Sequence, residues 1–280
     1  MNFFKISFAS ALLALSLSAC GDNDDKNDNT LITDPEMTKS WNLVWSDDFD
    51  GPELDPDVWV RTERGSSDWN NNQSDDPRLV ELRDGCVVLR GIENDDKTAD
   101  PQDYICGGIC TKGKKALGSS EYPTSIQVRA KLGKGAMGAW PAIWMMPFNQ
   151  NGEGWPACGE IDIMERLSMQ SFFYSTVHSY YTNTLGNGTP KNSTTTTFSP
   201  NEFHVFEVQL WPDRVDFYLD STLTLSYPKV NDGADNQFPF FKEWYLIMDM
   251  QIGGSWVGTV NPRHLPCEME VDWVKYQIFK

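Results

Sequence analysis

Basic residues, histidines and paired cysteine motifs are scarce in this chain of 280 residues. Lys and Arg number 23 against 40 Asp and Glu, so the formal net charge is -17. A surface this acidic repels phosphate backbones, which makes nucleic acid a poor candidate partner. The 3 histidines are scattered and no Cys-x-x-Cys pair occurs, so the sequence shows no zinc cluster.

Helical patterning is missing as well. No segment of a dozen residues places apolar side chains at helical spacing between capping residues, so a parallel sheet with crossover helices is not expected. Short strand-like runs alternate instead with Gly, Pro, Asn and Asp, and several of them alternate apolar with polar residues, as half-buried antiparallel strands do. These runs are residues 59–62, 86–89, 125–130, 203–210, 214–219 and 268–274.

The strand pattern predicts an all-β fold. The chain has 40% hydrophobic residues, enough for a sizeable core, and a single jelly-roll β-sandwich of this length is ordinary. Residues 217–219 and 223–227 are predicted to form a hairpin. The connecting Asp220, Ser221 and Thr222 include no glycine, so the turn type stays open.

The N-terminus is predicted to be a targeting signal. An apolar stretch over residues 8–17 is too short to span a bilayer and ends in small residues. Residues 17–20 read LSAC, which resembles a bacterial lipobox. The resemblance implies a lipoprotein signal peptide over residues 1–19 and acylation of Cys20. An ordinary secretory signal with an accidental cysteine is the alternative.

Residues 20–40 are predicted to be an acidic, solvated tether that follows the lipid-bearing Cys20. This tether would hold a domain of residues 41–280 away from a membrane to which the chain is anchored. An acidic stretch directly after the cysteine also resembles the export signal of surface lipoproteins in some Gram-negative bacteria. The predicted location is therefore the outer membrane, with the domain exposed at the cell surface.

The other cysteines do not define a disulfide framework. Without Cys20 five remain, an odd number, so at least one thiol stays unpaired. A local disulfide between Cys106 and Cys110 and two buried free thiols are both compatible with the spacing. The five cysteines are Cys86, Cys106, Cys110, Cys158 and Cys267.

Three acids lie close together in the stretch GEIDIME, at Glu160, Asp162 and Glu165. In a strand, Glu160 and Asp162 point to the same face, about 6.6–6.8 Å apart. Glu165 has the opposite parity and would point away from them. A β-bulge at Ile163 and Met164 would return Glu165 to the carboxylate face, because one extra residue reverses the alternation.

Close carboxylates raise the pKa of one another, so one can hold a proton while another is ionised. This split suits glycoside hydrolysis, in which one acid protonates the leaving oxygen while the other attacks the anomeric carbon. In retaining enzymes the two carboxyl groups are about 5–5.5 Å apart. We expect Glu160 and Glu165 to form this pair, with Asp162 hydrogen-bonded to the nucleophile. A solvated acidic helix face and a calcium site of clustered oxygens are the alternatives.

Three tryptophans lie within sixteen positions just ahead of the acids, at Trp140, Trp144 and Trp155. A tryptophan offers an apolar face that can stack on a sugar ring and keeps an N–H for a hydroxyl group. Such a cluster favours a sugar-binding cleft over a purely structural role. His178 follows on a strand-like run and could support an acid, although a hydrogen-bonded core histidine fits the spacing equally well.

This part of the sequence resembles the family 16 glycoside hydrolases, in the branch with a bulged Glu-x-Asp-x-x-Glu motif. That branch includes laminarinases, agarases, porphyranases and endo-β-galactosidases. The matching residues read GAWPAIW at 138–144, WPACGEIDIME at 155–165 and VH at 177–178. Weaker matches, WSDDFDG at 45–51 and VDWV at 271–274, extend the resemblance over about residues 41–280.

The resemblance implies a concanavalin A-like jelly roll with a substrate cleft on its concave face. It implies that Glu160 is the nucleophile, that Glu165 is the acid/base and that Asp162 assists Glu160. The mechanism would be double displacement through a covalent glycosyl-enzyme, with retention at the anomeric carbon. The chain would need no cofactor. Family members often hold one structural calcium ion, and Asp272 matches a typical ligand position.

The resemblance also assigns substrate-binding side chains. Trp144 and Trp155 would line subsites on the non-reducing side of the cut, with Trp140 as a further binding residue, and His178 would lie beside the acid/base. A polysaccharide or glycan is therefore the expected partner, and the chain is expected to be a monomer.

Departures from the laminarinase pattern leave the sugar open. Laminarinases typically carry Trp-Gly-Asn-x-Glu before the first core strands, whereas residues 66–73 read SSDWNNNQ here. Thr124 and Gln127 also replace the usual Gly and Glu of the strand before Trp140. A β-1,3- or mixed-linkage β-glucan is the main prediction for an endo-acting enzyme.

An endo-β-1,4-galactosidase that acts on mucin-type O-glycans or poly-lactosamine is an alternative. A sulfated galactan is expected less, because sulfate requires basic subsites. A non-catalytic glycan-binding surface lipoprotein is a further alternative. Three adjacent carboxylates disfavour a pure binder, since they carry an electrostatic penalty without a function.

Overall fold

The computed structural model describes residues 39–230 and 236–280. In these residues the chain forms seventeen strands, two 3₁₀ helices at Pro77–Leu79 and Pro262–His264, and one π-helical turn at Tyr180–Thr184. The strands are β1 Trp41–Asp47, β2 Val60–Arg61, β3 Val80–Arg83, β4 Cys86–Glu93, β5 Tyr104–Cys106, β6 Gly108–Cys110, β7 Leu117–Gly118, β8 Thr124–Lys131, β9 Ala139–Pro147, β10 Glu160–Glu165, β11 Phe172–His178, β12 Ser193–Thr197, β13 His204–Leu210, β14 Arg214–Leu219, β15 Thr222–Pro228, β16 Glu243–Ile252 and β17 Cys267–Phe279.

The strands build two antiparallel sheets. The nine-stranded sheet has the order β15-β14-β13-β8-β17-β4-β3, with β1 paired to β17 and β5 paired to β4. The eight-stranded sheet has the order β12-β11-β10-β9-β16-β6-β2, with β7 paired to β16. This architecture is a jelly-roll sandwich, so the predicted all-β fold is confirmed.

One apolar core fills the space between the two sheets. On β8 of the nine-stranded sheet, Ile126 and Val128 point inward and are fully buried. On β16 of the eight-stranded sheet, Leu246 and Met248 do the same. Each such side chain contributes about 1.5–3 kcal/mol through burial. Because alternate residues point outward, each strand of the eight-stranded sheet also presents side chains on the outer face.

The predicted hairpin is formed by β14 and β15, which are joined by Asp220 and Ser221. Both residues have positive φ, 49° and 68°. Two successive positive φ values are typical of a type I′ turn, whose twist matches that of the flanking strands. Asp tolerates this conformation better than most residues, so the turn forms without glycine.

The five cysteines after Cys20 are buried free thiols. Cys106 lies on β5, which pairs with β4 in the nine-stranded sheet, whereas Cys110 lies on β6 in the eight-stranded sheet. The chain crosses between the two sheets over these few residues, which separates the two thiols. The local disulfide that the spacing allowed is therefore not formed.

The predicted signal peptide, Cys20 and most of the predicted tether fall within residues 1–38, outside the described residues. Within the described part of the chain, none of the helices has the length and apolar character needed to traverse a bilayer.

At Gly138, the backbone before β9 packs closely against the segment that follows β16. Gly138 has φ +85°, and a Cβ there would lie 2.6 Å from Cα of Val260. Its carbonyl oxygen accepts a hydrogen bond of 2.7 Å from the backbone N–H of Gly253. Only glycine lets the two segments pack this closely.

Gly138→Ala is therefore expected to lower the free energy of unfolding by about 2–4 kcal/mol, since left-handed strain and overpacking add. Gly152→Ala is the matched control, because Gly152 has φ +81° but a methyl group added there would meet no neighbour within 4 Å. The control should lose only about 1 kcal/mol. Urea unfolding followed by tryptophan fluorescence measures both. Equal losses in the two variants would contradict the packing argument.

Candidate active site

A β-bulge interrupts the pairing of β10 with β9 between Asp162 and Met164. The pairing of β10 with β11 shifts at the same place, between Asp162 and Glu165. Ile163 and Met164 are successive in sequence, yet both belong to the core between the sheets. The extra residue therefore returns Glu165 to the outer face of the sheet, which Glu160 also occupies. The bulge lies where the sequence predicts it.

Two indole N–H groups hold the two glutamates at opposite ends of β10. Trp155 donates from Nε1 to Oε2 of Glu160 at 2.5 Å. Trp140 donates from Nε1 to Oε1 of Glu165 at 3.0 Å. Each bond fixes one carboxyl oxygen and leaves the other oxygen available for chemistry. The ring of Trp155 is 56% exposed, as expected for a side chain that meets a ligand.

His178 contacts Asp162, which lies between the two glutamates. Its Nε2 is 3.1 Å from Oδ2 of Asp162, and its Nδ1 is 3.1 Å from Oδ1 of Asn183. The resemblance placed His178 beside Glu165, but its closest ionic contact is the neighbouring aspartate. On β11, His178 is the cross-strand partner of Glu160.

Burial and nearby negative charge raise the pKa values of the two glutamates. Burial, together with the charge of Asp162, raises the pKa of Glu160 to about 8. Burial and the charges of Asp162 and Glu160 raise the pKa of Glu165 well above its usual value. Burial alone would lower the pKa of His178, but its contact with Asp162 outweighs this effect and raises the pKa to about 10.

With this arrangement, one glutamate can act as an acid and the other as a base at neutral pH. Carboxyl groups with raised pKa values share protons, so the pair can hold one proton and one negative charge. The imidazolium of His178 balances the charge of Asp162. A site with one protonated acid and one carboxylate on the same face is what glycoside hydrolysis requires.

The same residues do not favour a metal ion. Glu160, Asp162 and His178 place potential ligand atoms within 4.8 Å of one another. Calcium, however, takes six to eight oxygen ligands, and an imidazole with a raised pKa carries a proton on the nitrogen that would have to bind. The calcium alternative for the carboxylate cluster is therefore disfavoured.

Asp272, the predicted ligand of a structural calcium ion, lies on β17 in the other sheet. Its carboxylate forms an ion pair with Arg129 on the neighbouring β8. A guanidinium next to the carboxylate does not fit the oxygen-rich shell that calcium requires. The calcium role of Asp272 stays a prediction, and no step of the chemistry depends on it.

Trp144 lies on the outer face of β9 as the cross-strand partner of Asp162. Its indole is only 6% exposed, because Trp69 packs edge-on against it at a centroid distance of 4.9 Å. Its Nε1 donates to Oδ1 of Asp249 at 3.0 Å. Trp144 and Trp69 therefore act together as one aromatic unit beside the carboxylates. Of this pair, the sequence predicts only Trp144 as a binding residue.

Asp249 anchors a buried polar network under this aromatic unit. Gln73 and Gln251 donate to its carboxylate at 3.2–3.3 Å, and Thr62 donates to Gln73 at 2.6 Å. Burial raises the pKa of Asp249 to about 7. This acid is not predicted from the sequence, because a single Asp in the hydrophobic run of β16 shows no spacing signal.

A cavity of about 510 Å³ continues the outer face toward β2 and β6. Arg61, Arg64 and Lys112 line it, but two of these cations already have partners. Arg64 forms a bidentate ion pair with Asp100, and Arg61 donates to backbone carbonyl oxygens. The cavity has room for sugar rings, and of its three cations Arg64 is neutralised by an acidic side chain.

A second group of aromatic side chains lies at the Glu165 end. Trp256 and Tyr174 contact one another there, and Trp256 also contacts Trp140. Neither Trp256 nor Tyr174 is predicted from the sequence as a site residue. The available signal was a tryptophan two residues after Gly254, in a loop where an aromatic side chain gains no core packing.

A jelly-roll sandwich with paired acids on a bulged strand of its outer face is the arrangement that glycoside hydrolysis through two carboxyl groups requires. Residues 93–275 match the family described as "Glycosyl hydrolases family 16". This match spans more than half of the chain, and the chain belongs to that family.

Related proteins act on different glycans. A keratan-sulfate endo-1,4-beta-galactosidase of Sphingobacterium multivorum is 33% identical over 241 residues, which cover 85% of this chain and 55% of that protein. The chain thus spans about half the length of that relative. A beta-glucanase of Rhodothermus marinus is 32% identical over 248 residues, which cover 84% of each protein.

Solved structures are also similar to this chain. One, from work on endo-acting O-glycanases that members of the human gut microbiota express to initiate mucin breakdown, superposes with a TM-score of 0.73 at 28% identity. The superposition covers 84% of this chain and 98% of that structure.

The pH dependence of hydrolysis is expected to change when the positive charge of His178 is removed. This positive charge lowers the pKa of both Glu160 and Glu165. In His178→Gln both pKa values should rise, so both limbs of the pH–rate profile are expected to move about one unit to the alkaline side. Initial rates between pH 4 and 10 measure the profile.

His204→Gln is the matched control, because His204 lies in the nine-stranded sheet and pairs with Asp220. Its profile should coincide with that of the unmodified protein. An unchanged or acid-shifted profile in His178→Gln would show that its charge does not set the protonation of the glutamates.

Proposed function

We propose that this chain is a retaining endo-β-glycosidase in which Glu160 is the nucleophile, Glu165 is the acid/base and Asp162 assists Glu160. The observation that carries the proposal is the bulge of β10, which gives Glu165 the same face as Glu160 despite their opposite parity. The two indole bonds and the raised pKa values support these two glutamates as the reacting pair.

In the first step, a carboxylate oxygen of Glu160 attacks the anomeric carbon and forms an ester bond. The bond between that carbon and the glycosidic oxygen breaks, and Glu165 transfers its proton to the departing oxygen. The hydrogen bond from Trp155 stabilises the ionised form of Glu160. The raised pKa of Glu165 keeps the proton available for this transfer.

In the second step, the carboxylate of Glu165 takes a proton from a water molecule whose oxygen attacks the anomeric carbon. The ester bond to Glu160 breaks, and its electron pair returns to the carboxylate. Two inversions at the same carbon retain its configuration. His178 and Asp162 keep the local charge balanced while negative charge moves between the glutamates.

A β-1,3- or mixed-linkage β-glucan is the main substrate in this proposal. The beta-glucanase relative supports it, because its alignment covers most of both chains. The outer face supports it as well, since the cavity beyond Trp69 offers aromatic and neutral polar groups.

An endo-β-1,4-galactosidase that acts on mucin-type O-glycans or poly-lactosamine is the second candidate. The keratan-sulfate endo-1,4-beta-galactosidase and the O-glycanase structure support it. The chain is acidic overall and Asp100 neutralises Arg64 in the cavity, so unsulfated galactose-containing chains fit this candidate better than sulfated ones.

A non-catalytic glycan-binding lipoprotein is the third candidate, and the carboxylates argue against it. Keeping Glu160 and Glu165 beside Asp162 raises the pKa of both glutamates, which means that their ionised forms are destabilised. A binder gains nothing from this arrangement, whereas a hydrolase uses it in each step.

The proposal includes an outer-membrane lipoprotein that is anchored through Cys20, exposed at the cell surface and active as a monomer. The lipobox-like residues 17–20 support the anchor. The monomer is supported by the single strand β10, which supplies all three carboxylates from one chain. The enzyme would shorten external polysaccharide into oligosaccharides that can be imported.

Glu160→Gln is expected to lower kcat on the cleaved polysaccharide by at least about 10³-fold, because an amide cannot attack the anomeric carbon. Glycan binding should persist, since shape and aromatic contacts are unchanged. Product sizing on laminarin, barley glucan, mucin glycans and agarose identifies the substrate. Affinity electrophoresis on the same glycans measures binding.

Glu202→Gln is the matched control, because Glu202 is an exposed glutamate on the loop before β13, and its turnover should equal that of the unmodified protein. Proton NMR of the first products should show the β-anomer before mutarotation. Unchanged turnover in Glu160→Gln, or initial release of the α-anomer, would refute the assignment of the nucleophile.

Cys20→Ala is expected to release the protein from membranes, because the acyl chains that anchor it can no longer be attached. In a Gram-negative host, labelling with an alkyne fatty acid should mark the unmodified protein in the outer-membrane fraction. Cys110→Ala serves as the control and should stay labelled. An unlabelled, soluble wild-type protein would favour the ordinary secretory signal.

A further inference from the structure

The buried carboxylate of Asp249 connects the two halves of the Trp144–Trp69 unit, the pair of packed rings beside the catalytic strand. Its Oδ1 accepts from Nε1 of Trp144 at 3.0 Å, and its Oδ2 accepts from Nε2 of Gln73 at 3.2 Å. Gln73 lies on the same loop as Trp69, and its backbone N–H donates to the carbonyl oxygen of Asn70 at 3.3 Å. One carboxylate therefore binds one tryptophan directly and holds the loop of the other through Gln73.

The hydrogen bonds around Asp249 set the orientation of two amide side chains. Thr62 donates from its hydroxyl to Oε1 of Gln73 at 2.6 Å, so Nε2 of Gln73 faces the carboxylate. Nε2 of Gln251 donates to both carboxylate oxygens, at 3.2 and 3.3 Å. The Oε1 atom of Gln251 is buried and has no hydrogen-bond partner among the described residues. Because an ionised carboxylate only accepts, it directs the N–H groups of both amides toward itself.

The neighbouring strands leave room for this acid on the outer face. Its partner on β6 is Gly108, where a Cβ would lie 2.3 Å from the Cβ of Asp249. Its partner on β9 is Ala142, which also pairs with Glu165 on β10. Small residues on both sides thus place the carboxylate of Asp249 under the cleft, two strands away from Glu165.

Fold stability does not account for an acid at this position. Asp249 is fully buried, and the donors from Trp144, Gln73 and Gln251 are all neutral. Burial raises the pKa of Asp249 to about 7, which means that its ionised form is destabilised. An apolar side chain would avoid this penalty. The carboxylate supplies what an apolar side chain lacks, a fixed direction for Trp144 and for Gln73.

We propose that Asp249 and Gln73 are positioning residues for substrate binding, which hold the Trp144–Trp69 unit in the orientation that contacts a sugar ring. This role rests on the proposed function, because it requires the unit to bind the glycan. Trp144 is the cross-strand partner of Asp162, so the unit lies next to the reacting groups. Hydrogen bonds that fix both rings before the glycan binds reduce the entropy that is lost on binding.

The pair acts on binding rather than on the chemical step. Trp155 and Trp140, which lie outside the Trp144–Trp69 unit, donate to Glu160 and Glu165. A change in the orientation of the unit would therefore leave the reacting pair in place. It would weaken contacts that the bound substrate and the transition state share, and loss of such contacts raises KM and leaves kcat unchanged.

Gln73→Met provides the main test, because methionine has about the length of glutamine without its amide group. On the polysaccharide that the unmodified enzyme cleaves, KM is expected to rise about 10-fold, since Oδ2 of Asp249 and the hydroxyl of Thr62 both lose a partner. The value of kcat should change less than about 2-fold. Initial rates over a range of substrate concentrations measure both constants.

Exchanging the two polar groups should restore binding. In Gln73→Glu/Asp249→Asn the carboxylate is at position 73 and the amide at position 249, so the hydrogen bond between them is kept with its direction reversed. The amide oxygen can still accept from Trp144, and the carboxylate can still accept from Thr62. KM should stay within about 3-fold of the value for the unmodified protein.

Gln237→Met is the matched control, because Gln237 is an equally buried glutamine whose side chain bonds the backbone of Pro228 and Val230, at the end of β15. It should lower the free energy of unfolding without changing KM. In a Trp69→Ala background, Gln73→Met should raise KM less than about 2-fold further, because the ring that Gln73 positions is already absent.

Several results would overturn the positioning role. They are an unchanged KM in Gln73→Met, an equal rise of KM in the exchanged variant or in Gln237→Met, and a full rise of about 10-fold in the Trp69→Ala background. A rise of KM with a matching loss of kcat would also contradict it, since the chemical step would then depend on the pair.

The same comparison separates this role from the proposed function. If the unmodified protein binds a glycan without cleaving it, the endo-glycosidase proposal fails, and the dissociation constant from affinity electrophoresis replaces KM for the same variants. If the unmodified protein binds no glycan, both proposals fail. If it cleaves a glycan and KM is unchanged in Gln73→Met, the positioning role alone is wrong.

Discussion

The single extra residue in β10 is the constraint on which the site depends. Without the bulge, strand alternation would direct Glu165 into the core, where an unpaired carboxylate is strongly destabilising. The bulge directs Ile163 and Met164 inward instead, and both are buried. Apolar burial therefore stabilises the same irregularity that the chemistry needs. The sheet fixes the two glutamates through backbone pairing, so a rigid scaffold rather than a mobile loop sets their separation.

The three acids differ in the side chains that contact them. Glu160 and Glu165 each receive one indole N–H, whereas Asp162 receives the imidazolium of His178. The charge of Asp162 raises the pKa of both glutamates. Neutral donors hold the glutamates in position without forcing either of them to ionise. The proton can therefore move between reaction steps at little cost.

How much of the site the sequence predicts depends on how far apart in the chain the interacting residues lie. Parity along one strand predicts the bulge, and alternation of apolar and polar residues predicts the sandwich. The partner of His178 depends on the register between β10 and β11, which the sequence alone does not specify. Asp249 and Trp256 join the site only after β16 and its following loop pack against β9 and Gly138. These contacts link residues more than a hundred positions apart, so no local pattern signals them.

The distinction between local patterns and long-range contacts also explains why the catalytic motif does not identify the sugar. Relatives named for β-glucan and for keratan sulfate share this fold, so the fold and its catalytic strand do not determine the glycan. Selection must then come from side chains that surround the carboxylates. In this chain the side chains around the carboxylates include the Trp144–Trp69 unit above Asp249 and the ring of Trp256 beside Trp140. Trp69 and Trp256 lie on loops that hydrogen bonds of the Gln73 and Asp68 side chains hold in place. Changes in these loops alter the shape of the cleft without disturbing the bulge, which allows one mechanism to serve different glycans.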